Sequence, residues 1–371
     1  MIVPQDDLIG HQLPHSFAYT GTSDPTWMER LWYSAHPVPG GDVILNVGCG
    51  YHPNRNVFDA HAGITVGKRQ HNLRFSQRLG ADPLSAAIGP LRFQVLEGLR
   101  RHRLVLEPNE AGLSFDIEFS SVLNPHEENR HTVRRNLRLQ HDITRYQQSG
   151  RYSGWVQLHE TRFDLTADAW WGQRDHSWGL RRELRTDPAH PPMSEYPPHL
   201  FTWLVAQFDD CALHLFMQES QPGRPLYLTG ELVFKQDLPR DGQWAIKDVE
   251  HDLRWANDPH GQTVESGTLI VTFANGQSRK FTLRALPARY FLKGGMYGGY
   301  RGWFQGDDKG PYHFEHDVWD LSDAGTRTEA RTLGDNVFEF SDGKRNGYGI
   351  FEWWVLKGYP RYEEVQKFPA P

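Results

Sequence analysis

Sulfur is scarce in this chain. Its two cysteines, Cys49 and Cys211, are too few for a disulfide framework in 371 residues and too far apart for a metal knuckle. That usage points to reduced thiols and a cytoplasmic setting. Long apolar runs are missing too: no window approaches the roughly 20 residues that a membrane-spanning helix needs. The start, MIVPQDDLIGHQLPHS, has neither the basic opening nor the apolar core of a signal peptide. There is no net basic field either. A formal charge of −6 and a pI near 6.3 argue against a general binder of nucleic acid or anionic membrane. Extended amphipathic helical repeats are also lacking, which leaves an all-β fold as the leading expectation.

What the sequence does hold is glycine (35), proline (24) and a 13% aromatic fraction, spread over short alternating segments between turn signals. Arg103–Glu107 and Leu113–Phe119 read as a hairpin, as do Leu200–Phe208 and Ala212–Glu219. Thr268–Phe273 and Ser278–Leu283 flank Asn275-Gly276, a pair suited to the positive φ angles of tight turns. Further strands are expected at Leu226–Phe234, Gln243–Trp255 and Tyr312–Leu321. Two stretches, Pro25–Ser34 and the Arg-rich Glu127–Tyr146, are the helical candidates. The length fits two domains. The proline-rich stretch from Arg181 to His199 divides them: residues 1–185, a linker at 186–198, and residues 199–371. The inferred architecture is two antiparallel β domains, each a barrel or sandwich.

Two segments imitate nucleotide sites. VILNVGCGY (Val43 to Tyr51) has the glycines of a methyltransferase loop, but Asn46 stands where an acid is usual and no helix follows, so a glycine-rich β-turn is expected. KGGMYGGYRGWFQGDDKG (Lys293 to Gly310) matches no P-loop spacing. Its glycines suit bent strands or close backbone approach.

The segment richest in chemistry is WWGQRDHSWGLR, Trp170 to Arg181. On a strand, Arg174, His176 and Trp178 share one face, and Gln173, Asp175 and Ser177 the other. Asp175 and His176 therefore pair with different neighbours unless a bulge at Gly172 or Gly179 intervenes. A carboxyl in an aromatic pocket loses hydration and holds its proton, which makes it a general acid, and tryptophan faces stabilise a developing carbocation. The alternative is structural: Arg174 and Arg181 with Asp175 could form a buried ion-pair network at the domain junction.

Gly172–Gly179 (GQRDHSWG) resembles the Asp-His-x-Trp-Gly signature of the carotenoid 1,2-hydratase and AttH-like proteins, and Trp27–Tyr33 (WMERLWY) is similar to their early Trp-rich segment. The resemblance extends over nearly the whole chain, but its specific part is the one motif. It implies two lipocalin-like β domains and a hydrophobic, unsaturated or terpenoid-like substrate. The activity implied is that of a cofactor-free hydratase, isomerase or cyclase. Carried over, the acid and imidazole positions fall on Asp175 and His176, with Trp178 beside them; Trp171 and Arg174 are further substrate-binding candidates. Here Gln173-Arg174 precedes the Asp, and Arg174 as a neighbour favours an ionised Asp175.

YHFEHDVWDL (Tyr312 to Leu321) is the polar counterpart in the second domain. His313, Glu315 and Asp317 share a face that could line a substrate pocket, be a solvated surface, or hold a metal with help from His159 or His214. Near the C-terminus, Glu352 is the one carboxylate amid the aromatics of NGYGIFEWWVLKGYPRY and is expected to face a cavity. The function these features suggest is acid/base chemistry on an apolar small molecule, with no metal or cofactor. A double-lipocalin carrier of a hydrophobic ligand is the alternative.

Overall fold

The computed structural model describes residues 14–80, 86–135, 137–181, 197–235, 242–258 and 261–367, with residues 7, 9 and 11. The linker expected at 186–198 lies outside them apart from residues 197 and 198.

The fold is nearly all β. The first half of the chain supplies β1 (Trp27–Pro37), β2 (Val43–His52), β3 (Val57–Val66), β4 (Arg69–Arg78), β5 (Ala87–Ile88), β6 (Leu91–Glu97), β7 (Arg101–Leu106) and β8 (Leu113–Ser120). It continues through β9 (His126–Glu127), β10 (His131–Arg135), β11 (Arg138–Leu158), β12 (Thr161–Leu165) and β13 (Trp170–Arg181). The second half supplies β14 (Leu200–Gln207), β15 (Cys211–Gln221), β16 (Arg224–Phe234), β17 (Ile246–Trp255), β18 (Val264–Phe273) and β19 (Ser278–Phe291). After these come β20 (Tyr312–Asp320), the short helix α1 (Ala324–Ala330), the one α-helix among the described residues, β21 (Gly334–Ser341) and β22 (Asn346–Val355).

These strands form two antiparallel sheets, each curled around its own apolar core. The first runs β20-β4-β3-β2-β1-β13-β11-β8-β7-β6-β5, and the second β16-β15-β14-β22-β21-β19-β18-β17. In the first, β5 at one end approaches β4, one strand in from the other end, where Gln77 donates to the Ala87 carbonyl at 3.0 Å; in the second, the ends approach where Leu232 N–H meets the Trp244 carbonyl. Phe75, Phe115, Phe119 and Tyr152 fill the first barrel; Phe208, Phe273, Phe281 and Phe351 fill the second. A third apolar layer, including Ile44, Trp203, Val205, Tyr290 and Ile350, lies where the outer faces of the two barrels meet.

The expected hairpins form. At Asn275-Gly276 only the glycine takes a positive φ, +81°, so the turn is a type I turn closed by Gly276. Both helical expectations are overturned. Pro25–Ser34 gives way to β1, whose Leu31, Tyr33 and Ala35 enter the first core while Trp32 and Ser34 face the second barrel. A strand buried on both faces loses the polar–apolar alternation by which strands are read. Glu127–Tyr146 becomes β9, β10 and the start of β11. Its charges are cross-strand partners, such as Arg130 with Asp142 at 2.6 Å, not the faces of a helix.

VILNVGCGY is no turn either: it is β2, buried along nearly its whole length. Its glycines make room for neighbouring side chains. A Cβ on Gly48 would sit 2.6 Å from the His61 ring, and one on Gly50 2.7 Å from Asp59. Tyr312–Leu321 also differs from expectation, because β20 does not join the second sheet. It pairs with β4 from Tyr312↔Gln77 to Asp320↔Arg69 and completes the first. The partner it finds there is Arg74, fully buried, whose Nη2 lies 2.7 Å from Asp317. The glycine-rich stretch leading into β20 packs by close approach: a Cβ on Gly295 would meet the His61 ring at 2.6 Å.

Candidate active site

The chemistry-bearing segment is β13, hydrogen-bonded on one side to β1 and on the other to β11 with no shift of register. No bulge intervenes, so side chains alternate strictly and β13 divides its residues between two places. Trp171, Gln173 and Asp175 face the second barrel. Arg174, His176 and Trp178 face the first barrel and its mouth. Gly172 and Gly179 are there for contact: a Cβ on Gly172 would collide with the Ser34 carbonyl of β1, and one on Gly179 with the Asp142 carbonyl of β11.

At the seam between the barrels, Asp175 stands 3.5 Å from Arg145 Nε. Burial pushes the Asp175 carboxyl up, and Arg145 and Arg30 pull it back part of the way. Arg145 also reaches Glu128 at 3.2 Å, and Glu128 accepts from Trp203 Nε1 at 3.4 Å and from Gln147.

Across the seam stand Glu352 and Asp335. In the antiparallel ladder of β21 and β22, Asn336 pairs with Phe351, which sets Asp335 opposite Glu352 one step further on. Asp335 is fully buried and Glu352 nearly so. Asp335 Oδ2 accepts from Trp32 Nε1 at 3.2 Å and from Asn46 Nδ2. Asn46 Oδ1 in turn accepts from His61 Nε2 at 2.8 Å, so His61 carries its proton on Nε2. Burial presses the His61 ring down to about 3, which keeps it neutral.

Asp335 Oδ1 has no hydrogen-bond donor. The carboxyl opposite it across the ladder is Glu352. Two carboxyls this close and this deep cannot both ionise, so one holds a proton and donates it to the other. Burial first, then Asp335, drives Glu352 well above the usual carboxylate range. Asp335, eased by the donors on Oδ2, rises to about 7, chiefly through burial. Of the two, Glu352 is the more strongly raised. Trp32 and Trp203 pack edge to face beside the pair, with ring centres 5.6 Å apart.

On the other face, His176 lies at the mouth of the first barrel, between Glu29 Oε1 (2.7 Å from Nε2) and the Tyr146 hydroxyl (3.2 Å from Nδ1). Trp178 packs edge-on against it with ring centres 5.2 Å apart. Arg174 is buried deeper on that face, with Nη2 on Tyr146 and Gln148.

The sequence-derived candidates thus separate. Asp175 and Glu352 come together at the seam. His176, Trp178 and Arg174 gather in the first barrel. Trp171 lies at the far end of the seam, under Arg151 at 3.5 Å and against Tyr348. His313 and Glu315 bond to each other at 2.8 Å on an outer, largely exposed face, and Asp317 is tied to Arg74. Among the described residues, no group of three or more His, Cys, Asp or Glu is placed to hold a metal ion. No helix among them is long and apolar enough to cross a membrane.

Sequence reasoning missed Asp335, Glu128, Arg145, Trp32, Trp203 and Tyr146. For Asn46 a signal existed: a lone amide in an apolar strand needs a partner.

The fold and the seam together define a two-barrel β protein with a buried acid between its barrels. The chain belongs to a family of unknown function (DUF8625), whose profile it matches over residues 2–360. No curated protein matches it in sequence. Among solved structures it is similar to an AttH-like protein of Nitrosomonas europaea, with 13% identity and a TM-score of 0.51, over 88% of this chain and 92% of that one. It is also similar to CghA (11% identity, TM-score 0.46, over 90% of this chain and 89% of that one). Kievitone hydratase of Nectria haematococca gives 11% identity and a TM-score of 0.39, over 88% of each chain. At 13% identity the likeness to the AttH-like protein is one of fold.

Proposed function

We propose that this protein is an acid–base enzyme acting on an apolar, unsaturated small molecule, with its reaction at the seam between the barrels. The observation that carries this reading is the Asp335–Glu352 pair, a carboxylic acid kept protonated beside indole rings and facing Asp175. Such an acid can protonate an alkene or an enol, and aromatic faces steady the cation that forms. In hydration, Glu352 gives its proton to carbon, water adds to the cation, and Asp175 takes the proton that water releases. In isomerisation or cyclisation the cation loses a proton from carbon instead. Return of that proton to Glu352 closes the cycle. No metal or cofactor enters this scheme. His176 faces away and serves the first barrel.

The test incubates an apolar extract of the source cells in heavy-oxygen water with wild type, Glu352→Gln and Asp175→Asn. Wild type is expected to form a product that incorporates the label, or one of unchanged mass if it isomerises or cyclises. Glu352→Gln, which keeps a donor toward Asp335 but cannot surrender a proton, should be slower by about 10²–10⁴-fold. Enrichment of one apolar compound by all three proteins, with no product, would make the protein a carrier.

A further inference from the structure

The first barrel buries a positive charge without its anion. Arg174 is wholly inaccessible, and among the described residues no carboxylate forms an ion pair with it. Its Nη2 is used by Tyr146 and Gln148 and the Tyr33 hydroxyl lies close to the guanidinium, while Nε and Nη1 make no hydrogen bond among the described residues. Two further polar atoms nearby are also unpartnered: His102 Nε2 and the Tyr152 hydroxyl. All surround one ring. Phe119 lies 5.9 Å from the Arg174 guanidinium carbon, and its centre is 6.3 Å from His102 and 5.4 Å from Tyr152.

His102 adds a polar group and not a charge. Burial and the Arg174 charge press it down to about 3. The Tyr33 hydroxyl and Nδ1 share a hydrogen bond at 2.8 Å, which leaves Nε2 as the unpartnered position of the ring. The barrel thus holds unpartnered polar atoms around a fixed cation that has no carboxylate partner among the described residues. A buried guanidinium in that state is stabilised by an oxyanion.

The rim above is apolar. Val95 lies opposite His102 in the β6–β7 ladder, and Val95, Leu96 and Leu99 are 62%, 46% and 43% exposed. The Leu99 carbonyl accepts from Gln148, the same amide that holds Arg174, so this hairpin stands directly over the charge.

We infer that the first barrel binds a long-chain carboxylate, its head group on Arg174, His102 and Tyr152 and its tail over Val95, Leu96 and Leu99. The site lies on the opposite face of β13 from Asp175 and is independent of the seam chemistry.

Oleate and oleyl alcohol serve as probes, titrated against the full chain by calorimetry. Oleate is expected to bind, with the alcohol about tenfold or more weaker, the loss of one charge-assisted contact. Arg174→Met should bring oleate down to the alcohol's level while its melting temperature stays the same or rises, because an unpaired buried charge has been removed. A merely structural arginine would give the reverse, a lower melting temperature. Leu96→Asp, on the exposed rim, should weaken oleate without touching the core, so the test stands even if Arg174→Met fails to fold. Equal binding of acid and alcohol, no binding of either, or oleate binding that Arg174→Met leaves unchanged would overturn the proposal.

Discussion

Asp335 and Glu352 are like charges set opposite one another in a ladder, an arrangement that repels unless a proton intervenes. This leaves a signature in stability. The Asp335 carboxyl moves from 3.8 to about 7 on folding, mainly through burial. A raised pKa means that the folded state binds the extra proton, so its contribution is complete below the unfolded value and lost as pH climbs through the folded one. Wild type should therefore lose stability between about pH 4 and pH 7, and Asp335→Asn should flatten that fall. Urea melts across the range would check it; parallel curves for the two proteins would show that the pair holds no shared proton. Buried histidines slope the other way. His61 and His102, both pressed to about 3 by burial, resist protonation and cost stability as pH falls below their ordinary value. Of this chemistry the sequence revealed Asp175 and Glu352, because carboxylates among aromatics stand out. Asp335, in an unremarkable Gly-Asp-Asn, did not.

At the scale of the element, β13 shows what a short motif can and cannot tell. Strict alternation made it readable that Asp175 and His176 would serve different neighbours, and its unbroken register with β1 and β11 bears that out. The same alternation misled at β1, where both faces are buried and the period-2 signal vanishes. It also misled at Glu127–Tyr146, where polar residues point into a seam that only the second half of the chain creates. The glycines of β13 are exacting positions. Gly172→Ala would press a methyl group into the Ser34 carbonyl and the Tyr152 ring, and is expected to cost about 2–4 kcal/mol. Gly98→Ala, with nothing within 4 Å of the new carbon, should stay within about 0.5 kcal/mol of wild type. Denaturant melts of the two, side by side, measure the difference.

For the whole molecule, the all-β class and most hairpins were legible because turn chemistry is local. The partner of β20 was not, since pairing across more than two hundred residues leaves no local trace. That pairing makes the halves interdependent. A fragment of residues 1–185 would expose the edge of β4 and leave Arg74, otherwise held by Asp317 at 2.7 Å, buried without a counter-charge. Such a fragment is expected to aggregate or stay expanded, and the whole chain to unfold in one transition. Calorimetry with two separate peaks, or a monomeric folded fragment, would contradict this.

The position of β20 also bears on how the protein is made. On the ribosome a nascent chain emerges from its N-terminus, and a unit folds once its last strand has left the exit tunnel. The first barrel is finished only by Tyr312–Asp320, so its edge must wait while β14 to β19 are being synthesised. A strand made early is thus among the last to be sealed, and until then β4 presents an open template that a chaperone, or another nascent copy, can reach.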